Sequence, residues 1–225
     1  MKLFTVYSPT FEVIKQIFLS SMQDDYDVHM TCLEDIQEVG FILDAAHQQS
    51  MMTRHRIALD AINQNMGEIV LVTDLDLLFF GKTQPMVEEA MQGRDMAVQL
   101  NGSGLMDACL GFTAIRCNEV TRVFWETFID RYIDQLQDNP RAFDQDLFNT
   151  MLQESDLRWG FFPSQVYHTQ HGWPPPEDLL VYHATGVPIS AVEGDTRTPL
   201  DHKIMLYNSV LKALGMPTLE ENLRA

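Results

Sequence analysis

Asp74-Leu75-Asp76 stands directly after the apolar run Glu68–Thr73 (EIVLVT). Strand side chains alternate faces, so two carboxylates two positions apart at a strand end can point the same way. Unpaired carboxylates beside a core are costly. A divalent cation removes that cost, and hard oxygen ligands suit Mg2+ or Mn2+. The plainer alternative is a loop carrying two solvated aspartates. His183 ends the apolar segment Leu179–His183 (LLVYH). A neutral imidazole suits Mn2+ beside carboxylates, so His183 is a candidate third ligand, though a histidine there can equally be structural. Asp144-Gln145-Asp146 opens a predicted helix. The helix dipole accounts for the two acids but not for Gln145. His168, His171 and Trp173 fall in a proline-rich stretch, where Trp173 can stack on a sugar ring or simply anchor the loop.

The elements that must position these residues alternate along the chain. Strands are predicted at Leu3–Tyr7, Val28–Leu33, Glu68–Thr73, Leu77–Phe80, Met96–Leu100 and Gly111–Arg116, with shorter ones at Trp159–Phe162, Gln165–Tyr167 and Leu179–His183. Helical periodicity covers Phe11–Met22, Ser50–Gln64, Pro85–Met91, Glu119–Leu136, Asp144–Leu152 and His202–Leu214. Loops are expected at Gly102–Asp107, Gly172–Pro176 and Asp195–Pro199. Strands alternating with helices predict an α/β fold with a mixed, mostly parallel sheet and helices on both faces. In such folds ligands sit at the carboxyl ends of the strands. Those ends are Tyr7-Ser8, Asp74-Asp76, Leu100-Asn101 and His183, and all are polar.

The 225 residues fit one domain spanning 1–225 with one continuous core. They carry 32 acidic against 15 basic residues, a net charge of −17. Such a surface repels the phosphate backbone of nucleic acid and an anionic membrane alike. It can still hold a phosphorylated small molecule through local Arg or Lys, helix N-termini or a bound cation. Cys32, Cys109 and Cys117 are odd in number and widely spaced, without a CxxC, which fits a reducing compartment. With no signal peptide and no apolar run of ~18 residues, a cytoplasmic location is expected.

The ordered set of motifs resembles the nucleotide-sugar glycosyltransferases of GT-A fold, above all the small retaining ones related to glycogenin and to plant cell-wall transferases. A first strand ends in Tyr7-Ser8, like the one that holds the nucleotide base. A helix with Arg54 and Arg56 precedes Asp74-Leu75-Asp76, which matches the family's metal-binding DxD. Asp144-Gln145-Asp146-Leu147-Phe148-Asn149 resembles the DQ-x-x-x-N segment beside the donor sugar. His183-Ala184-Thr185-Gly186 resembles the late H-x-x-G, whose His completes the metal shell. The resemblance implies transfer of a sugar from a nucleotide sugar, with UDP favoured over GDP, to a glycan, protein or small-molecule hydroxyl, with retention. Mn2+ or Mg2+ is then held by Asp74, Asp76 and His183. Tyr7, Ser8, Arg54, Arg56, Asp74 and Asn101 contact the donor. Asp144 and Gln145 act in catalysis, and Asp107 or Asp146 is the general base if the enzyme inverts. The chain departs from the family in two places. Cys109-Leu110-Gly111-Phe112 stands where the family has Asn-Ser-Gly or Asn-Ala-Gly. Val187-Pro188-Ile189 follows the H-x-x-G without the family's Lys, leaving Arg197 or Lys203 as substitutes.

Two other functions compete. A haloacid dehalogenase-type phosphatase also places DxD after an apolar strand, but that motif opens its chain, whereas here 73 residues precede it and no later Asp-Asp pair follows a strand. A degenerate transferase fold serving as a sugar- or nucleotide-binding module is the other, and it predicts the loss of metal-dependent nucleotide binding.

Overall fold

The computed structural model describes residues 1–34, 45–102, 107–168, 171, 173–185 and 197–222. The expected loop pieces at 103–106, 169–170, 172 and 186–196, with Gly186 and Val187-Pro188-Ile189 among them, lie outside the described residues.

Continuous apolar runs make the central strands. β1 (Lys2–Tyr7) and β3 (Ile69–Thr73) are buried along most of their length. They pair in parallel, with Lys2 opposite Val70 and Phe4 opposite Val72. β2 (Asp27–Cys32) adds to β1 in parallel and alternates exposed with half-buried residues, as an edge strand does. β5 (Met96–Leu100) and β6 (Ala108–Arg116) form an antiparallel pair, and β6 also runs antiparallel to β3. β7 (Trp159–Phe161) closes the far edge, parallel to β5. The sheet is six-stranded, ordered β2-β1-β3-β6-β5-β7, mixed and mostly parallel.

Alternation along these strands sends side chains into two cores. Phe4, Val70, Val72, Val98 and Ile115 pack under α2 (Ala45–Gln64), α4 (Glu119–Asp138) and α5 (Asp144–Glu154), through Ile62, Trp125, Phe128 and Phe148. Leu3, Leu71, Ala97, Phe112 and Ala114 face the other way. They meet α1 (Glu12–Ser21), α3 (Gln84–Ala90) and α6 (Pro199–Ala213). Helices thus cover both faces, as the alternating pattern predicts. A last short helix, α7 (Leu219–Asn222), was not expected. Among the described residues no helix is long and apolar enough to cross a membrane.

One expectation needs correcting. The short strands do not all join the central sheet. β4 (Leu77–Phe79), β8 (Val166–His168) and β9 (Val181–His183) make a separate three-stranded sheet in the order β4-β9-β8. The chain turns at Asp74–Asp76, so β4 cannot continue β3 and pairs with β9 instead, Leu77 opposite His183. Boundaries also move, most at three starts: α2 begins at Ala45, not Ser50. β6 begins at Ala108, not Gly111. α6 begins at Pro199, because Thr198 and Asp201 cap each other reciprocally.

Asp95 ties the far side of the sheet together. Its carboxylate accepts from Arg158 Nε (2.9 Å) and Nη2 (2.8 Å) and from Asn118 Nδ2 (3.0 Å). These bonds join β5 to the start of β7 and to the cap of α4. The bonds from Arg158 hold the carboxyl down at about 2, against an ordinary 3.8. Because the folded-state value is depressed, its contribution is complete above 3.8 and is lost as pH falls towards 2. Arg158 is largely exposed, so water screens its share, but Asp95 is buried. Asp95→Asn is expected to cost about 1.5–3 kcal/mol in urea unfolding at pH 7. The gap between variant and wild type should narrow as the pH drops through that window.

Candidate active site

A cleft of about 380 Å3 opens at the carboxyl ends of β1 and β3. Asp74, Asp76, Gly111 and His183 line it. Tyr7, Ser8, Leu33, Met51, Asn101, Asp144, Gln145, Thr185 and Lys203 line it as well.

Backbone pairing places the three candidate metal ligands. Asp74 N donates to Gly111 O (2.8 Å) and Ala184 N to Asp76 O (3.0 Å). The β4–β9 pairing then puts the His183 ring over the two aspartates. His183 Nε2 lies 3.1 Å from Asp76 Oδ1 and 3.5 Å from Asp74 Oδ2. The ring crosses Gly111 so closely that a Cβ there would stand 2.0 Å from His183 Cε1. That requirement is steric and explains why a glycine sits mid-strand. At the same point the β5–β6 register shifts, between Val98 and Gln99. Leu110 O takes bonds from Arg54 Nη2 and Thr113 Oγ1.

The second ring nitrogen is also held. His183 Nδ1 lies 2.8 Å from Gln99 Oε1, an acceptor, an arrangement that suits a proton on Nδ1. Nε2 then presents a lone pair to two carboxylate oxygens. Three acceptors facing one another require a proton or a cation between them. The three atoms lie within 4.8 Å of one another. In the protein alone a proton serves. Burial opposes the charged ring, but Asp76 and the other neighbours raise His183 well above its ordinary value.

Each aspartate has a cation of its own. Arg54 Nε sits 3.0 Å from Asp74 Oδ1, an ion pair rather than an aligned hydrogen bond. Lys203 Nζ bonds to Asp76 Oδ2 and to Ala184 O. Burial alone would raise both carboxyls. Arg54 and His183 overrule it for Asp74, and Lys203 and His183 for Asp76, so both are lowered.

Asp144, at the start of α5, is buried against His55 of α2, with His55 Nε2 to Asp144 Oδ2 at 2.8 Å. Burial pushes the His55 ring down, outweighing Asp144. Burial pushes Asp144 up, but the bond from His55 prevails and lowers it. His55 Nδ1 is buried with no hydrogen-bond partner among the described residues, which suits a neutral ring donating from Nε2. The pair is therefore a neutral imidazole on an ionised carboxylate. Phe128 and Tyr132 hold the ring edge-on from α4.

The predicted residues divide accordingly. Tyr7, Ser8, Arg54, Asp74, Asp76, Asn101, Asp144, Gln145 and His183 all line the cleft. Arg56 does not. It is exposed, because two positions along a helix turn a side chain about 200° away from Arg54. Asp146 is likewise exposed. Of the two substitutes for the missing Lys, Lys203 reaches the cleft, whereas exposed Arg197 contacts Met205 Sδ at 3.0 Å. Trp173 is 54% exposed and does not line the cleft. Asn149 pairs with the β6 backbone at Ala108 rather than with the cleft. Cys109, in the family's Asn position, lies 3.8 Å from His183 Nδ1. Sequence reasoning missed His55 and Gln99. The signal for His55 was available: it lies three and seven positions before Ala58 and Ile62, on the apolar stripe of α2.

Gly111→Ala is expected to force His183 off Asp76. The ring is buried and held from both sides, so about 1–3 kcal/mol of stability should be lost. The imidazole resonances of His183 in a 1H–15N spectrum should shift with it.

No family model matches the chain, and no curated protein matches it either. Solved structures do. The galactosyltransferase LgtC, in complex with donor and acceptor sugar analogs, superposes with a TM-score of 0.56 at 10% identity, covering 100% of this chain and 99% of that one. A glycosyltransferase involved in glycosylation of the major capsid of PBCV-1 gives 0.57 at 10% identity, over 91% and 98%. Mouse xyloside xylosyltransferase 1 gives 0.52 at 10% identity, over 81% and 97%. The chain therefore has the GT-A fold of nucleotide-sugar glycosyltransferases.

Proposed function

We propose that residues 1–225 form one transferase domain that moves a glycosyl group from a nucleotide-diphosphate sugar to an acceptor hydroxyl. The observation that carries this reading is the cluster of Asp74, Asp76 and His183 Nε2, three acceptors converging in the cleft of a GT-A fold. Two carboxylates and one imidazole fit Mn2+ or Mg2+, and the excess of lone pairs there is what a divalent cation relieves. When bound, such an ion supplies Lewis-acid neutralisation of charge on the departing diphosphate.

The chain's own residues do the rest. Tyr7 and Ser8 border the base, and Arg54 and Asn101 complete the donor side, with Arg54 also fixing Asp74. Uridine diphosphate is favoured over guanosine diphosphate on family resemblance. In transfer, the bond from the anomeric carbon to the diphosphate oxygen breaks, and the nucleotide leaves with the electron pair. The acceptor oxygen forms the new bond and passes its proton to the departing diphosphate oxygen. Positive charge develops at the anomeric carbon, and a carboxylate nearby stabilises it, as in glycosidases. Asp144 is that carboxylate. His55 keeps it ionised and fixed, and Gln145 orients the sugar by hydrogen bonds. Retention of configuration follows the resemblance of Asp144-Gln145 to the glycogenin-like segment. The acceptor is a glycan, a protein or a small molecule.

Calorimetry with UDP and GDP, each with and without Mn2+, tests the binding half. UDP with Mn2+ should bind most tightly, and Asp76→Asn should remove the metal dependence. Hydrolysis of the nucleotide sugar tests the chemical half. Asp144→Asn should lower turnover by about 100-fold or more, while Asp146→Asn keeps it. Metal-dependent nucleotide binding without any turnover favours a degenerate binding module instead.

A further inference from the structure

We infer that Lys203 is a built-in counter-ion on Asp76 that a divalent cation must displace, so that cation and nucleoside diphosphate load into this cleft as a coupled pair. The inference rests on reading Asp74, Asp76 and His183 as a cation site.

Three observations carry it. First, Lys203 is nearly buried, with 9% of its side chain exposed, and its ammonium touches Asp76 Oδ2 and the Ala184 carbonyl. Both partners belong to the candidate metal site: Asp76 is a ligand, and Ala184 directly follows His183. Second, Asp74 is already matched by Arg54, at 3.0 Å. Each of the two carboxylates is therefore matched by a side-chain cation of the same chain, besides the proton shared at His183. Third, these cations point at the same cleft into which the three acceptor atoms open.

The electrostatics follow directly. A divalent cation that takes the place of that proton leaves two uncompensated positive charges beside Arg54 and Lys203, and like charges this close repel strongly in a low-dielectric pocket. Metal alone is disfavoured. A diphosphate alone meets Asp74 and Asp76 without the divalent charge that would offset its own, and binds less tightly for it. Together they nearly cancel. The phosphate oxygens also give the displaced ammonium a partner, and the flexible four-carbon stem of Lys allows it to swing without moving α6. Each ligand removes the penalty of the other, which is a coupling free energy and hence reciprocal. Lys203 comes from α6 and not from the segment after H-x-x-G, so its role here is not read from the family's motif.

The test is calorimetry on the full chain with three titrants: Mn2+, UDP, and Mn2+ in the presence of UDP. In the wild type, Mn2+ alone should bind weakly, and UDP should tighten it by about ten-fold or more, within the usual range of two-site coupling. Lys203→Met removes the competing charge. Mn2+ alone should then bind about ten-fold more tightly than to wild type, and the tightening by UDP should shrink. Lys203→Arg keeps the charge and should retain weak binding of Mn2+ alone. Circular dichroism checks the fold. If Lys203→Met does not fold, Lys203→Gln carries the same comparison, since its amide still reaches Asp76 without a charge. Equal Mn2+ affinity in wild type and the neutral variants, with UDP-dependent binding intact, overturns the role of Lys203 and spares the metal site. No Mn2+ binding to any of these proteins, with or without UDP, overturns the metal site itself and this inference with it.

Discussion

Two negative charges are kept at the end of a buried strand, and much of the molecule is arranged around that constraint. Asp74 and Asp76 follow β3 at the point where the chain leaves the central sheet. Neither lies in bulk water, and an unmatched carboxylate there would be costly. Arg54 comes from α2 and Lys203 from α6, so helices packed on opposite faces of the sheet each deliver one cation. His183 comes from the smaller sheet and is fixed by Gln99 from the larger one. Removing any of these elements would leave a charge without its partner. The site is therefore also a joint between the two cores.

The same constraint reaches into details that look unrelated. Gly111 is small because the His183 ring occupies the space of its side chain. The register shift in β6 lets Leu110 hold Arg54, which in turn holds Asp74. At the start of α5, a buried neutral histidine holds Asp144 ionised. Both carboxylate sites use the same principle: a carboxylate that must stay charged away from water is given a buried donor. In the proposed transfer reaction this matters at Asp144, because charge develops at the anomeric carbon and a fixed group that needs no rearrangement stabilises it most effectively.

Much of the fold was legible in the sequence, for physical reasons that vary by element. β1 and β3 are continuous apolar runs, which only strands covered on both faces require. The long helix at 119–138 and its aromatic stripe followed from the 3.6-residue period. The start of β6 was obscured, because Ala108-Cys109-Leu110 precedes a register shift that no local pattern encodes. The second sheet was invisible, since three-residue strands carry almost no periodicity and their pairing is set by distant chain segments. At the site, the aspartates and His183 were legible as polar residues ending apolar strands. Arg54 and Arg56 could have been separated by helix geometry alone. Lys203 could only be named as one of two candidates, because its approach to Asp76 depends on how α6 docks.

The most direct measurement is a crystal structure of the chain grown with UDP and Mn2+, with diffraction collected at the manganese edge. The account predicts one anomalous peak within bonding distance of Asp74, Asp76 and His183 Nε2, touching the diphosphate, with the Lys203 ammonium moved from Asp76 to a phosphate oxygen. A nucleotide bound in the cleft with no anomalous peak at the triad, and Lys203 still on Asp76, would contradict it.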